Sequence, residues 1–290
     1  MKAIYRSSLA IMAATSLTAC SDSFLEQDPL SFYEPTITYS TEEGLKSALT
    51  MCDKQLKTYI LDGNWNNVGL ATNYLMSDVG MYAKTDMDGG FQDNFDAKLT
   101  PTSGMGGGGD GNYMQRFWDQ GFNMVKYANS VLSYVDQVEG LDEKVKNAYK
   151  GRAYFHRAYA YYNLTLQFGD IPLITKLMTT PKQDYKSCSK EAIFQMLVHD
   201  LEFAAENVPS QRDMEYIGMV NQEACMHLLV KCYLVTGQYD KAEQVATDLI
   251  NNHGLRLMTE PFGQWVPSGC ETTWKVTRNV VWDLHRTPNI

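Results

Sequence analysis

Lys150-Gly151-Arg152-Ala153-Tyr154-Phe155-His156-Arg157-Ala158-Tyr159-Ala160-Tyr161-Tyr162, running on to Gly169-Asp170-Ile171-Pro172-Leu173, is the stretch on which the reading of this 290-residue chain turns. The pattern predicts a helix from about Asp142 to Phe168. Its aromatics lie all round the helix and not along one stripe, as expected where neighbours cover every side. Gly169 fits a C-cap position, and Pro172 prevents the helix from continuing. Arg152 and Arg157 within such a helix require acidic partners, and acids such as Asp170 are the expected ones.

Helical periodicity continues on both sides. Thr41 is placed to cap a first helix whose Glu42 and Glu43 suit its positive end, with Leu45, Leu49, Cys52, Leu56 and Tyr59 at spacings of four and three. A second helix is expected from about Trp65 to Tyr82. Residues 84–112 are rich in glycine, aspartate and asparagine and read as a long loop ending in Gly106-Gly107-Gly108-Gly109-Asp110-Gly111. From 112 to 138, Met114, Trp118, Gly121, Val125, Ala128, Leu132 and Val135 form one stripe. Further helices are expected over 189–207, 219–236 and 239–252. Beyond Gly254 the periodicity fades, with one strand-like run at Asn279-Val280-Val281-Trp282-Asp283-Leu284.

In the last helix pair, Leu229 and Tyr233 precede Gly237, Tyr239-Asp240-Lys241-Ala242 opens the second helix, and Ala246 and Ile250 follow. This resembles the tetratricopeptide repeat, in which small residues let two helices pack closely. Phe155 through Gly169 looks like another first helix, but Asp170-Ile171-Pro172-Leu173 interrupts before its partner. The fold class is therefore all-α, with tetratricopeptide-like helical repeats and long irregular loops.

The N-terminus carries a separate signal. Lys2 and Arg6 precede an uncharged apolar run, Leu9 to Leu17, too short for a stable membrane span. Leu17-Thr18-Ala19-Cys20 resembles a bacterial lipobox, which predicts cleavage before Cys20 and acylation of its thiol. Each buried acyl methylene adds about 0.8 kcal/mol of membrane residence, so several chains anchor stably. The expected organisation is a signal peptide over 1–19, a tether over 20–38 and a helical domain over 39–290. Without Lys2 and Arg6 the net charge moves from −9 to −11. With no basic patch or arginine cluster in view, the acidic balance argues against nucleic acid and anionic headgroups as partners.

Sugar binding requires an aromatic face for the pyranose and amide or carboxylate groups for its hydroxyls. Trp65, Tyr82, Phe91, Asn94 and Phe95 have that character. Taken singly, Phe91 and Phe95 read first as pins holding the long loop to the helices, and Trp118 reads as core packing. Asp86, Asp88, Asp93 and Asp96 lack the register of an EF-hand, and no metal or cofactor is assigned. The glycine run lacks the ending of a phosphate loop. Beyond Cys20 the cysteines, at 52, 188, 225, 232 and 270, are odd in number and irregular in spacing. Cys225 and Cys232 share a helical face and read as core thiols, against a bridge or metal pair. No HExxH, GxSxG or recognisable Cys/His arrangement marks an enzyme.

Taken together the segments resemble the SusD/RagB-like outer-membrane lipoproteins of Bacteroidetes. The resemblance is carried by Cys20-Ser21-Asp22-Ser23-Phe24-Leu25-Glu26, by Trp118 through Ala128-Asn129-Ser130-Val131-Leu132, by the opening stretch, and by Asp200-Leu201-Glu202-Phe203-Ala204-Ala205-Glu206-Asn207-Val208-Pro209. It implies a lipid-anchored protein of the cell outer membrane, exposed at the surface, which captures a glycan or peptide and sits as a lid on a SusC-like TonB-dependent transporter. Members combine tetratricopeptide-like helices that face the transporter with an irregular region carrying most of the ligand site. They are commonly much longer, so the expectation is a truncated SusD-like fold, incomplete at its C-terminus. The rival readings are a scaffolding lipoprotein that binds only proteins and a surface glycoside hydrolase.

Overall fold

The computed structural model of the chain describes residues 38–60, 113–178, 180, 182–214 and 218–255. The helix expected over 65–82, the loop over 84–112, the strand-like run at 279–284, Cys270 and everything before Thr38 lie outside the described residues.

The described residues are predominantly helical: α1 (Glu42–Ile60), α2 (Tyr113–Tyr134), α3 (Glu143–Phe168), α4 (Lys190–Asn207), α5 (Gln222–Val235) and α6 (Tyr239–Asn252). Short 3₁₀ turns follow α2 at Val135–Gln137 and precede α5 at Gln211–Asp213. Successive helices pack on one another, α1 on α2, α2 on α3, and so on to α5 on α6. Such a stack of neighbours fits the repeat reading. No described helix is long and apolar enough to cross a membrane.

The helix starts follow from capping chemistry. Thr41 Oγ1 accepts from Gly44 N at 3.2 Å, Ser189 Oγ from Ala192 N at 3.3 Å, and Asn221 Oδ1 from Ala224 N at 2.9 Å. Each satisfies a backbone donor that the first helical turn leaves orphaned. At the other end of α3, Gly169 adopts φ +76° and donates its N–H to Thr165 O. That left-handed conformation favours a residue without Cβ.

The core centres on α3, which touches α1, α2, α4 and α5. Ala153, Ala158, Tyr161 and Leu164 are fully buried, and Tyr149 and Phe155 nearly so. Gly151 lets α3 pack tightly against the end of α4: a Cβ there would stand 2.7 Å from Val208 Cγ2 and 3.3 Å from Ala204 Cα. Trp118 is half-buried, its ring 4.7 Å from Phe122 and 5.3 Å from Phe168, so it packs as expected. Cys52, Cys225 and Cys232 are buried free thiols.

Polar ties join the layers. Tyr149 donates to Glu42 Oε1 at 2.7 Å, linking α3 to α1. Tyr233 donates to Glu202 Oε1 at 2.6 Å, and Lys241 Nζ lies 3.6 Å from the same oxygen and 5.3 Å from the Tyr233 ring, so α4, α5 and α6 share one cluster. Glu223 accepts from Ser210 Oγ at 2.6 Å and Gln211 N at 2.9 Å, with His253 Nδ1 at 3.1 Å. Burial opposes ionisation of Glu223, but those hydrogen bonds outweigh it and hold the carboxyl below its ordinary value.

Candidate functional site

The chain leaving α3 is held by a buried polar network that begins at Arg157. Its Nε and Nη2 donate to the two oxygens of Asp200 on α4 at 2.8 and 2.9 Å. Its Nη1 donates to Asn129 Oδ1 and to the carbonyl of Thr175, each at 3.1 Å. The guanidinium also stands 5.0 Å from the centre of the Tyr154 ring. Arg157 is 6% exposed, while Asp200 and Asn129 are each 1% exposed. Buried charge is tolerated only where its hydrogen-bonding capacity is met; here Arg157 is met by three residues, and Asp200 by a bidentate guanidinium with His199 Nδ1 3.7 Å away. Burial pushes the Asp200 carboxyl up from its ordinary value, with Arg157 opposing the shift.

The same network grips the segment after Pro172 from two further sides. Asn129 Nδ2 donates to Ile174 O at 2.9 Å and more weakly to Lys176 O at 3.4 Å. The Tyr161 hydroxyl accepts from Ile174 N at 2.6 Å and donates to Ile174 O at 3.3 Å. Ser133 Oγ accepts from Leu177 N at 3.4 Å. Side chains of α2 and α3 thus supply to this irregular backbone the partners that a helix or sheet would otherwise provide.

At its base, β1 (Ile171–Pro172) pairs antiparallel with β2 (Ser187–Cys188), Ile171 opposite Cys188 and Pro172 opposite Ser187. Between the two strands the chain forms a loop, and within it lies a pocket of about 440 Å³. That is within the roughly 300–1,000 Å³ usual for small-ligand sites. The anchored segment Leu173–Lys176, with Met178, lines part of the pocket, and Lys182, Asp184, Tyr185 and Lys186 line the rest. Tyr185 is 39% exposed, and Lys182 Nζ lies 5.5 Å from its ring centre and 3.9 Å from Asp184 Oδ1.

The expected pairing with Asp170 is corrected. Arg157 takes Asp200, and Arg152 Nη2 faces Asp53 Oδ2 on α1 at 3.6 Å. Asp170 instead accepts from Lys190 N at 2.9 Å, where it suits the positive end of α4. Fully buried His156 brings Nε2 within 3.0 Å of the same Asp53 carboxylate. Burial pushes the His156 pKa down, with Asp53 opposing. This second cluster sets α3 against α1 through a partly exposed carboxylate.

The residues singled out from sequence for ligand binding, Trp65, Tyr82, Phe91, Asn94 and Phe95, lie outside the described residues, as does Cys20. The pocket residues after Pro172 escaped sequence reading. Lys176, Lys182, Tyr185 and Lys186, crowded into one short segment of an acidic chain, are the signal that marks them. Among the described residues, no group of three or more His, Cys, Asp or Glu is placed to hold a metal ion.

Comparison with known proteins places this architecture. SusD-like protein P2 of Formosa agariphila is 25% identical over 254 residues, covering 87% of this chain and 47% of that protein. The chain spans about half the length of the curated relatives it matches. A SusD-like carbohydrate binding protein from Bacteroides vulgatus superposes with a TM-score of 0.59 at 20% identity, covering 76% of this chain and 46% of that one. Surface glycan-binding protein A from Bacteroides fluxus superposes with a TM-score of 0.58 at 21% identity, covering 75% and 46%. At such identities these likenesses establish the fold. Residues 78–234, more than half of the chain, match the family model described as starch-binding and associating with the outer membrane, and the chain therefore belongs to the SusD-like family.

Proposed function

We propose that this protein captures a glycan at the outer membrane and delivers it to a SusC-like TonB-dependent transporter, binding its ligand without chemical turnover. The observation that carries the reading is the match of residues 78–234 to a starch-binding family. Two fold neighbours, described as carbohydrate-binding and glycan-binding proteins, favour a sugar over a peptide. The lipobox at Leu17–Cys20 supports a signal peptide over 1–19, a tether over 20–38 and acylation of Cys20, ahead of the helical domain that begins at residue 39. Trp65, Tyr82, Phe91, Asn94 and Phe95 supply the aromatic faces and amide that a pyranose needs.

The test is a glycan array and affinity electrophoresis with the chain from Cys20 onward, paired with purification from membranes. The expected result is retention by at least one polysaccharide, weakened in Trp65→Ala, with co-purification of a transporter. Fatty-acid labelling should be lost in Cys20→Ser. Co-purification without any glycan binding would favour a protein-binding scaffold instead. Release of reducing ends from a bound polysaccharide would overturn the non-enzymatic reading.

A further inference from the structure

The pocket between β1 and β2 differs in charge from the rest of the chain. Across 290 residues the net charge is −9, yet the pocket lining carries Lys176, Lys182 and Lys186 against one acid, Asp184. Elsewhere several lysines are neutralised by a carboxylate: Lys46 is 2.9 Å from Glu42, Lys150 is 2.6 Å from Asp136 and Lys241 is 3.6 Å from Glu202. In the pocket only Lys182 has such a neighbour, the exposed Asp184 at 3.9 Å. Like charges around one cavity repel each other, and an anion in that cavity relieves the repulsion.

Two further features suit a sugar that carries the anion. Tyr185 offers a half-open aromatic face, the group that covers the apolar side of a pyranose. The backbone of Ile174 is held by Asn129 and Tyr161, and that of Thr175 by Arg157, so part of the wall is pre-organised before any ligand arrives. The long lysine side chains remain free to follow the positions of carboxylate or sulfate groups.

We infer that this pocket binds an anionic saccharide, a glycan unit bearing carboxylate or sulfate groups, through Lys176, Lys182 and Lys186 with Tyr185 against the ring. The inference rests on the glycan-capture reading and adds a ligand class and a subsite to it. The pocket lies outside the 61–112 region, where the aromatic candidates from the sequence fall, so the two subsites can be separated by mutation.

The experiment is isothermal titration of the chain from Cys20 onward with four probes: a galacturonic acid tetramer, a chondroitin sulfate tetrasaccharide, maltotetraose and a glutamate tetrapeptide. The acidic sugars are expected to bind at least ten-fold more tightly than maltotetraose, and to weaken several-fold between 20 and 200 mM salt. Exposed charge pairs contribute roughly two- to five-fold each, so K176Q/K182Q/K186Q should lose roughly ten-fold or more with an unchanged melting temperature. Tyr185→Ala should weaken the acidic sugars and leave the peptide unaffected. Preference for the uronate or for the sulfated probe identifies the anion. Equal binding of the glutamate peptide, or no loss in the triple lysine variant, would overturn the inference. Maltotetraose binding that ignores the lysines would overturn it while leaving glycan capture standing. Failure of every saccharide, here and on the array, would sink both.

Discussion

Replacing Arg157 by Met removes the ion at the centre of the buried network while retaining much of its volume. Four N–H donations are lost, two of them to Asp200. Asp200 is then left almost fully buried beside an apolar side chain. Breaking a buried pair from one side costs about 3–5 kcal/mol, because the remaining ion is uncompensated. Loss of the guanidinium from the Tyr154 face adds about 0.5–1 kcal/mol. The carboxyl can limit the damage by taking up a proton, since burial already pushes its pKa up. A carboxyl whose folded pKa exceeds its unfolded value gains stability as pH falls through the folded value. Relative to wild type, the defect should therefore shrink between pH 7.5 and 5.5, by as much as about 2.7 kcal/mol for one proton across two units. Urea unfolding followed by tryptophan fluorescence measures it at both pH values. Arg157→Met with Asp200→Leu removes both charges and should recover most of the loss. A single variant within about 1 kcal/mol of wild type at pH 7.5, or a double variant costing the sum of the two singles, would refute the reasoning.

Three other outcomes are expected. Asn129→Ala removes the shorter of two hydrogen bonds to the Ile174 carbonyl and one acceptor of Arg157 Nη1, so a loss of about 1–3 kcal/mol should appear in urea unfolding, together with faster amide exchange over 174–177. Gly151→Val drives a branched side chain into Val208 and Ala204 and should cost about 2 kcal/mol or more in thermal or urea unfolding, and a variant within about 0.5 kcal/mol of wild type would refute the close packing there. His156 has its pKa depressed by burial, so its contribution is present above the ordinary histidine value of 6.5 and is lost as pH falls below it. The stability of the wild type should drop on acidification from pH 7 to pH 5, and His156→Leu should flatten that slope by up to about 1.4 kcal/mol per pH unit. An unchanged slope in the variant would remove His156 as the source.

Much of the helical architecture was legible because caps and periodicity are local. Thr41 and Gly169 act where their chemistry predicted, and the helices expected over 142–168, 189–207 and 239–252 differ from the observed ones by one residue or less at their ends. The stripe from 112 to 138 appears as α2 followed by a 3₁₀ turn. The partner of Arg157 was not legible. Asp200 lies 43 residues away and reaches it only because α3 and α4 pack together, while Asp170 is close in sequence but turns towards the start of α4. The β1–β2 pairing was hidden too, since two-residue strands carry no alternation to read. The pocket's lysines were on view in the sequence, but its shape was not. Its lining is brought together by hydrogen bonds from α2 and α3 to a segment with no periodicity of its own.

That division of labour within the pocket separates two kinds of mutational freedom. The carbonyls of Ile174, Thr175 and Lys176 are gripped by residues whose replacement threatens the whole stack, so that part of the wall tolerates little drift. The side chains of Lys182, Asp184, Tyr185 and Lys186 are exposed and form no part of the core. Exchanging them rewrites charge and shape at the rim at almost no cost in folding free energy. On the anionic-saccharide proposal, a lineage that meets a new ligand can therefore retune this rim by single substitutions, each screened for binding alone, while the helical stack beneath it is inherited unchanged.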